Sequence, residues 1–260
     1  MNVAVGIASR IGPQDNPLLK RCMESLQKVD AGMPFEFRLE LGHFFTRGEK
    51  RQRVFAYAKQ RNFKYVCILE DDTVILQPGW LYSMIATFVA DPTVGMLNPL
   101  ETKDGTFPGG PENVRGIVSE GVKMYGFCIV YAMDWDPMYD PKVTHLDDLG
   151  MSLLCRSKGR RLAICGHTTL QHTKEPFLSD KTPPWEQGDR ERWGDDSVYY
   201  NQDKHFEARL IESQYLIDRF GDMATTSLPE ELVEELKGRA KLKAAMNRPE
   251  MPLPAFKEPG

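Results

Sequence analysis

The sequence predicts an α/β protein with a Rossmann-like, mostly parallel central sheet flanked by helices, and a helical extension at its C-terminal end. Three observations carry that reading. Strand-like apolar runs alternate with segments of helical periodicity, the pattern of a layered sheet rather than a bundle or sandwich. The run VCIL at 66–69 is unbroken, as in a strand buried on both faces, and it ends abruptly in Glu70, Asp71 and Asp72. Carboxylates are costly to bury, so these belong where the strand leaves the core, at the edge where open α/β sheets bind ligands. Finally, the chain turns polar and proline-containing near residue 173 and then strongly helical. The expected division is a sheet domain over 1–175 and a loop and helical extension over 176–260, ending in a Pro-rich tail.

In order, residues 3–8 read as a first strand rather than a signal peptide, ending at Ser9 and Arg10. Asn16-Pro17 is an N-cap followed by proline at the first helical position, and Leu18, Leu19, Cys22, Met23 and Leu26 give that helix its buried stripe. Residues 35–41 alternate as a second strand. The segment TRGEKRQRVFAYAKQRNF is a helix with Val54, Phe55 and Ala58 inward and a cluster of bases at its start. After the acidic strand, a helix over 80–90 turns Leu81, Met84, Ile85, Phe88 and Val89 inward, and Asp91-Pro92 ends it. Residues 94–98 form another strand. The glycine- and proline-rich stretch 101–117 has no periodicity and reads as a long loop. An apolar run over 123–132 is followed by a helix opening at Asp147-Asp148 and stopping at Gly159. Two short strands, 162–165 and 168–171, lead to His172. In the extension, 196–220 is one amphipathic helix. Ser227 to Glu230 is a capping box for another, whose acidic start and basic end complement the helix dipole.

With 260 residues, 41% hydrophobic and 27% charged, the chain has ample core to fold independently. A net charge of −4 argues against a general nucleic-acid coat while leaving room for a local basic patch. Nothing approaches the ~18 consecutive apolar residues of a membrane span. The five cysteines have no CxxC spacing and lie in apolar segments, which predicts buried free thiols and a reducing, cytoplasmic setting.

Side chains alternate along a strand, so Glu70 and Asp72 share one side and Asp71 takes the other. Two oxygen donors on one side make half of a hard-cation site, or else an acidic end that meets a helix or an arginine. Arg47, Lys50, Arg51 and Arg53 at a helix N-terminus are either solvated or poised for phosphate. His172 alone reads as a hydrogen-bonded strand-end histidine. Asp147 and Asp148 alone read as helix caps.

Together, in order and spacing, these clusters resemble the metal-dependent nucleotide-sugar glycosyltransferases of the GT-A fold, particularly the large inverting family called family 2. In that family an apolar strand ends in a D-x-D motif, followed by a proline and a helix starting near Trp-Leu; ILEDDTVILQPGWL has that layout, with Glu70-x-Asp72 in place of D-x-D. The family then has an acidic pair opening a helix that stops at glycine, a strand and a histidine, as in Asp147-Asp148, Gly159 and His172 here. The resemblance covers residues 1–175. Glu70 stands where the first Asp is usual, and Asp147 where Glu is commoner.

The resemblance implies a nucleotide-sugar donor, with UDP-sugar first, and Mn²⁺ (or Mg²⁺) held by Asp72, His172 and Glu70. It implies an Asp base, Asp148 before Asp147, and inversion at the anomeric carbon. Asp71 and Asp72 would face the donor, Arg51 and Arg53 its diphosphate, and Ala8 and Arg10 its base. Outside the stretch the resemblance covers, Trp185 and Trp193 read either as rings that stack on a sugar or a base or close over the donor, or as pins that hold the C-terminal helices to the core. A nucleotidyltransferase would need a Gly-rich basic loop after the first strand, which IASRIGPQDN lacks. A non-catalytic nucleotide- or carbohydrate-binding module is the rival without turnover. The acceptor is a saccharide by default. A base in DNA is the alternative, with Arg160-Arg161 and the lysines of 237–243 as phosphate contacts.

Overall fold

A computed structural model describes residues 2–9, 12–42, 47–102, 117–118, 124, 126–172 and 202–246. The elements of the sheet domain are β1 (Val3–Ser9), α1 (Pro17–Lys28), β2 (Glu36–Leu41), α2 (Arg47–Gln60), β3 (Tyr65–Leu69), β4 (Thr73–Ile75) and α3 (Trp80–Ala90). They continue with β5 (Val94–Thr102), β6 (Ile117–Val118), β7 (Cys128–Ala132), a 3-10 turn (Met133–Trp135), α4 (Asp147–Ser157) and β8 (Arg161–His172). The extension supplies α5 (Gln202–Phe220), α6 (Asp222–Thr225) and α7 (Glu230–Met246).

The sheet runs β2-β1-β3-β7-β5-β8-β4, with β6 on β8 beside that path. β1 is parallel to β2 and β3, and β5 is parallel to β8, whereas β7 runs against both β3 and β5. β4 and β6 run against β8. Strands β1, β2, β3, β5 and β8 therefore point one way, and their C-terminal ends share an edge with the acidic turn after β3. Residues 66–69 are buried, as an unbroken apolar strand requires. α2 lies so tightly on β1 that a Cβ on Gly6 would sit 2.5 Å from Cγ1 of Val54. Asn16 caps α1, its Oδ1 accepting from the amides of Leu18 and Leu19 at 3.0 and 3.1 Å.

Several expectations are corrected. Residues 162–172 belong to one strand. Between Pro99–Cys165 and Leu100–Thr169, β8 advances four residues while β5 advances one, so a bulge absorbs the Gly166-His167 interruption. Val89 is 55% exposed rather than inward. Ser227 does not cap α7, since its hydroxyl donates to the Met223 carbonyl at 2.7 Å and accepts from Arg156 at 3.1 Å. A separate short helix, α6, explains why: Ser227 closes that element instead. Residues 196–201 and most of 101–117 lie outside the described residues.

The five thiols are free and buried as expected. Two apolar clusters fill the molecule. The larger spans the sheet, α1, α2 and α3; the smaller joins Val143, Leu146, Leu149 and Leu153 to Leu210, Leu216, Leu232 and Val233 of the extension. α4 is shared between them. Its Met151 and Cys155 face the main core, and Leu149 and Leu153 face the extension. Among the described residues, no helix is long and apolar enough to cross a membrane.

Candidate active site

β3 delivers its carboxylates into a tight turn. The amide of Glu70 donates to the Phe127 carbonyl at 2.9 Å, and that of Thr73 donates to the Glu70 carbonyl at 3.2 Å. The chain then resumes as β4, which places Thr73 opposite His172 at the end of β8. The alternation holds. Asp71 turns to β1 and α1, where its Oδ2 accepts from the Ser9 hydroxyl at 2.6 Å and the Asn16 amide at 3.0 Å. Burial raises the Asp71 carboxyl above its ordinary value, with the Asp72 charge adding to it and the Ser9 and Asn16 bonds working against it.

Glu70 and Asp72 face His172 instead. Its Nε2 lies 3.1 Å from Asp72 Oδ2 and 3.7 Å from Glu70 Oε2, while Nδ1 lies 2.9 Å from Glu101 Oε1. The Phe127 ring stacks on the imidazole at 5.4 Å. Burial disfavours the imidazolium, yet the Asp72 hydrogen bond and charge, with Glu101 and Glu70, outweigh it and raise His172 above its ordinary value. One ligand atom from each of Glu70, Asp72 and His172 falls within 4.8 Å of the others. Two carboxylate oxygens and an imidazole nitrogen suit a Mn²⁺-type ion, and a carboxylate on the far ring nitrogen is how metal-binding histidines are oriented. The donor set therefore fits the metal that the sequence implies.

Beside this triad lies an ion cage. Arg47 and Arg51, one turn apart on α2, reach across to the start of α4. Arg47 Nε and Nη2 bind the two oxygens of Asp147 at 3.0 and 2.5 Å, and Nη1 binds Glu70 at 2.9 Å. Arg51 Nη1 donates to Asp148 at 2.7 Å, Asp147 at 3.2 Å and the Tyr139 hydroxyl at 3.3 Å, and Nη2 donates to Glu70 at 2.9 Å. The Asp147 side chain is 1% exposed and the Asp148 side chain 14%. Burial, then the neighbouring Asp148, raises Asp147 despite Arg51 and Arg47. The cage closes on Gly126, where a Cβ would lie 2.5 Å from Asp148 Oδ2, 2.8 Å from Glu70 Oε1 and 2.9 Å from Arg51 Nη2.

The fold thus gathers Glu70, Asp71, Asp72, Asp147, Asp148 and His172 at one edge. Arg51 departs from the expectation. Its side chain is 1% exposed and held by carboxylates, so it is not presented to a diphosphate; three acids converging on a buried cation leave it no open donor face. Nor is the basic cluster simply solvated, since Lys50 is 4% exposed. Arg53, two residues on and so about 200° around the helix, lies on the exposed face away from the cage. Ala8 stands near the end of β1 opposite Glu40, and Arg10, Trp185 and Trp193 lie outside the described residues. Of the residues named for a DNA acceptor, Arg160 pairs with Asp134, Arg161 with Asp91 and Lys237 with Glu234. Sequence reasoning missed Glu101, Tyr139 and the caging role of Arg47. The i, i+4 arginine pair was the one local signal for the cage.

No family model and no curated protein sequence matches the chain. Solved structures do. S. aureus TarS is 14% identical over 95% of this chain and 54% of its own, with a TM-score of 0.52. Its 1–349 fragment is 12% identical over 93% of this chain and 88% of that one, with a TM-score of 0.54. The same fragment in complex with UDP-GlcNAc is 12% identical over 95% and 74%, with a TM-score of 0.53. This chain spans about half the length of the TarS chain first named. At such identities the likeness is one of architecture: the chain shares the fold of the TarS structures.

Proposed function

We propose that the chain transfers a sugar from a nucleoside-diphosphate sugar, UDP-sugar by preference, to an acceptor hydroxyl with inversion at the anomeric carbon. The observation that carries this reading is the convergence of Glu70, Asp72 and His172 within 4.8 Å at the same sheet edge as Asp148. Glu70, Asp72 and His172 would hold a divalent ion, Mn²⁺ before Mg²⁺; when bound, it supplies positive charge to a departing diphosphate. Asp71, steadied by Ser9 and Asn16, stands on the side of β3 that faces β1.

Inverting transfer needs a base on the face of the sugar opposite the leaving group. Asp148 suits that role better than Asp147, because it keeps some exposure while Asp147 is fully engaged by Arg47 and Arg51. Arg51 then fixes one oxygen of Asp148 and leaves the other, Oδ2, turned toward Gly126. Its alanine counterpart would occupy that space. The acceptor is taken to be a saccharide, and a cytoplasmic setting accords with the free thiols.

The test is incubation with labelled UDP- and GDP-sugars, with Mn²⁺ or with a chelator, reading free nucleoside diphosphate. Metal-dependent release that Asp72→Asn abolishes supports the reading. Release that survives both the chelator and Asp72→Asn refutes it. Metal-dependent nucleotide binding without any turnover favours the inert module instead.

A further inference from the structure

Among the described residues of the extension, Glu212 on α5 is the acid buried against the start of α4, at 6% exposure. Its carboxylate gathers a whole stretch of backbone. Oε1 accepts from the Thr144 amide at 2.8 Å, the Thr144 hydroxyl at 2.9 Å and the His145 amide at 3.1 Å, and lies 2.9 Å from His145 Nδ1. Oε2 accepts from the amides of His145 and Leu146, both at 2.9 Å. Three successive amides converging on one carboxylate form an anion nest, and here the anion comes from the chain itself. Burial works against this charge, but His145 and the backbone donors hold the Glu212 carboxyl down at about 2.

The position of that nest matters. Residue 146 is the N-cap of α4, and leucine has no side-chain acceptor for the helix's open amides. The next two residues are Asp147 and Asp148. Glu212 therefore fixes the three peptide planes that lead into residue 146, the segment from which the chain enters Asp147 and Asp148. Nearby, Tyr215 donates to Asp140 at 2.7 Å and Arg219 also pairs with Asp140, so α5 grips both ends of 140–146.

We propose that Glu212 is a positioning residue for the base Asp148, and that the C-terminal extension thereby belongs to the catalytic apparatus. The inference rests on the reading of Asp148 given above. A carboxylate misplaced by about 1 Å can lose 10²-fold in rate, so aim is where Glu212 would be felt.

The experiment compares Glu212→Ala and the nearly isosteric Glu212→Gln with Val233→Ala, which loosens the same small core without touching the nest. Each is read for kcat, donor KM, melting temperature and amide exchange over 146–150, with and without formate. The expected result is a kcat loss of about 10- to 100-fold in both Glu212 variants with donor KM within twofold. Exchange over 146–150 should quicken, and formate should restore both kcat and protection in Glu212→Ala. Val233→Ala should lower the melting temperature with kcat unchanged and no response to formate. Wild-type kcat in Glu212→Gln overturns the proposal, as does an equal kcat loss in Val233→Ala. If Glu212→Ala does not fold, the kcat and exchange results of Glu212→Gln decide. Asp148→Asn separates the two levels: full transfer by it sinks the base assignment itself, whereas an inactive Asp148→Asn beside wild-type Glu212 variants sinks this inference alone.

Discussion

Arg51→Met is the most informative perturbation of the cage. Methionine is close in length to the arginine stem and fills most of its space, so the change chiefly removes charge and donors. Left behind are Glu70, Asp147 and Asp148, which Arg51 binds at 2.9, 3.2 and 2.7 Å. Arg47 still reaches Asp147 and Glu70, but Asp148 keeps only a 3.9 Å approach from it. Breaking a buried ion pair by removing one partner costs about 3–5 kcal/mol. For a domain of this size that is a loss of about 6–20 °C in melting temperature. The deficit should also depend on pH. Burial and the neighbouring Asp148 charge already raise Asp147, and losing Arg51 raises it further. A folded-state pKa above the unfolded value means the folded variant takes up protons first. Its deficit against wild type is therefore full at pH 7.5 and shrinks as the pH falls toward the unfolded aspartate value, near ~4. Chemical denaturation of both proteins at pH 7.5 and pH 5 measures this, and adding Asp147→Asn to Arg51→Met should recover part of the loss. A variant within 2 kcal/mol of wild type at pH 7.5 (about the error of such comparisons and well short of the range above), or a deficit identical at both pH values, would refute the account of the cage.

Other consequences are as direct. Gly126→Ala pushes a methyl into Asp148, Glu70 and Arg51 at once, so it should cost about 1–3 kcal/mol and depress turnover more than donor affinity, as kinetics against melting temperature would show. Asp148→Asn should lose turnover at a smaller stability cost than Asp147→Asn, which at 1% exposure and bidentate to Arg47 should lose about 1–3 kcal/mol in denaturation experiments. Glu212 gives an acid limit. Its carboxyl is lowered from 4.5 to about 2, so its contribution of about 3 kcal/mol is complete above the unfolded value and is lost as pH falls from there toward 2. Glu212→Gln should flatten that part of the stability curve, measured by denaturant unfolding between pH 5 and 2.5.

How far the sequence could be read follows the range of the forces involved. β1, β3, α1 and α3 were legible because burial imposes a period on neighbouring residues, and the Asn16 cap because its partners lie two and three residues on. The opposite facing of Asp71 and Asp72 followed from strand alternation alone. The single strand β8 was not legible, since a bulge depends on the partner strand that absorbs it. Ser227 misled for a similar reason: the same hydroxyl can start one helix or close another, and α6 decided which. The basic run at α2 told its chemistry but not its partners, because a guanidinium's role is set by which charges the fold brings within reach.

The sequence by itself determined the sheet architecture, the acidic end of β3 and the buried thiols. These are written in periodicity and in residue type, which act locally. Only the tertiary structure decided that Arg51 is a buried counter-ion, that Glu101 holds the far side of His172, and that Glu212 grips the backbone ahead of Asp148. Those contacts join residues 66 to 96 positions apart, and hydrogen bonds and charges act through space rather than along the chain.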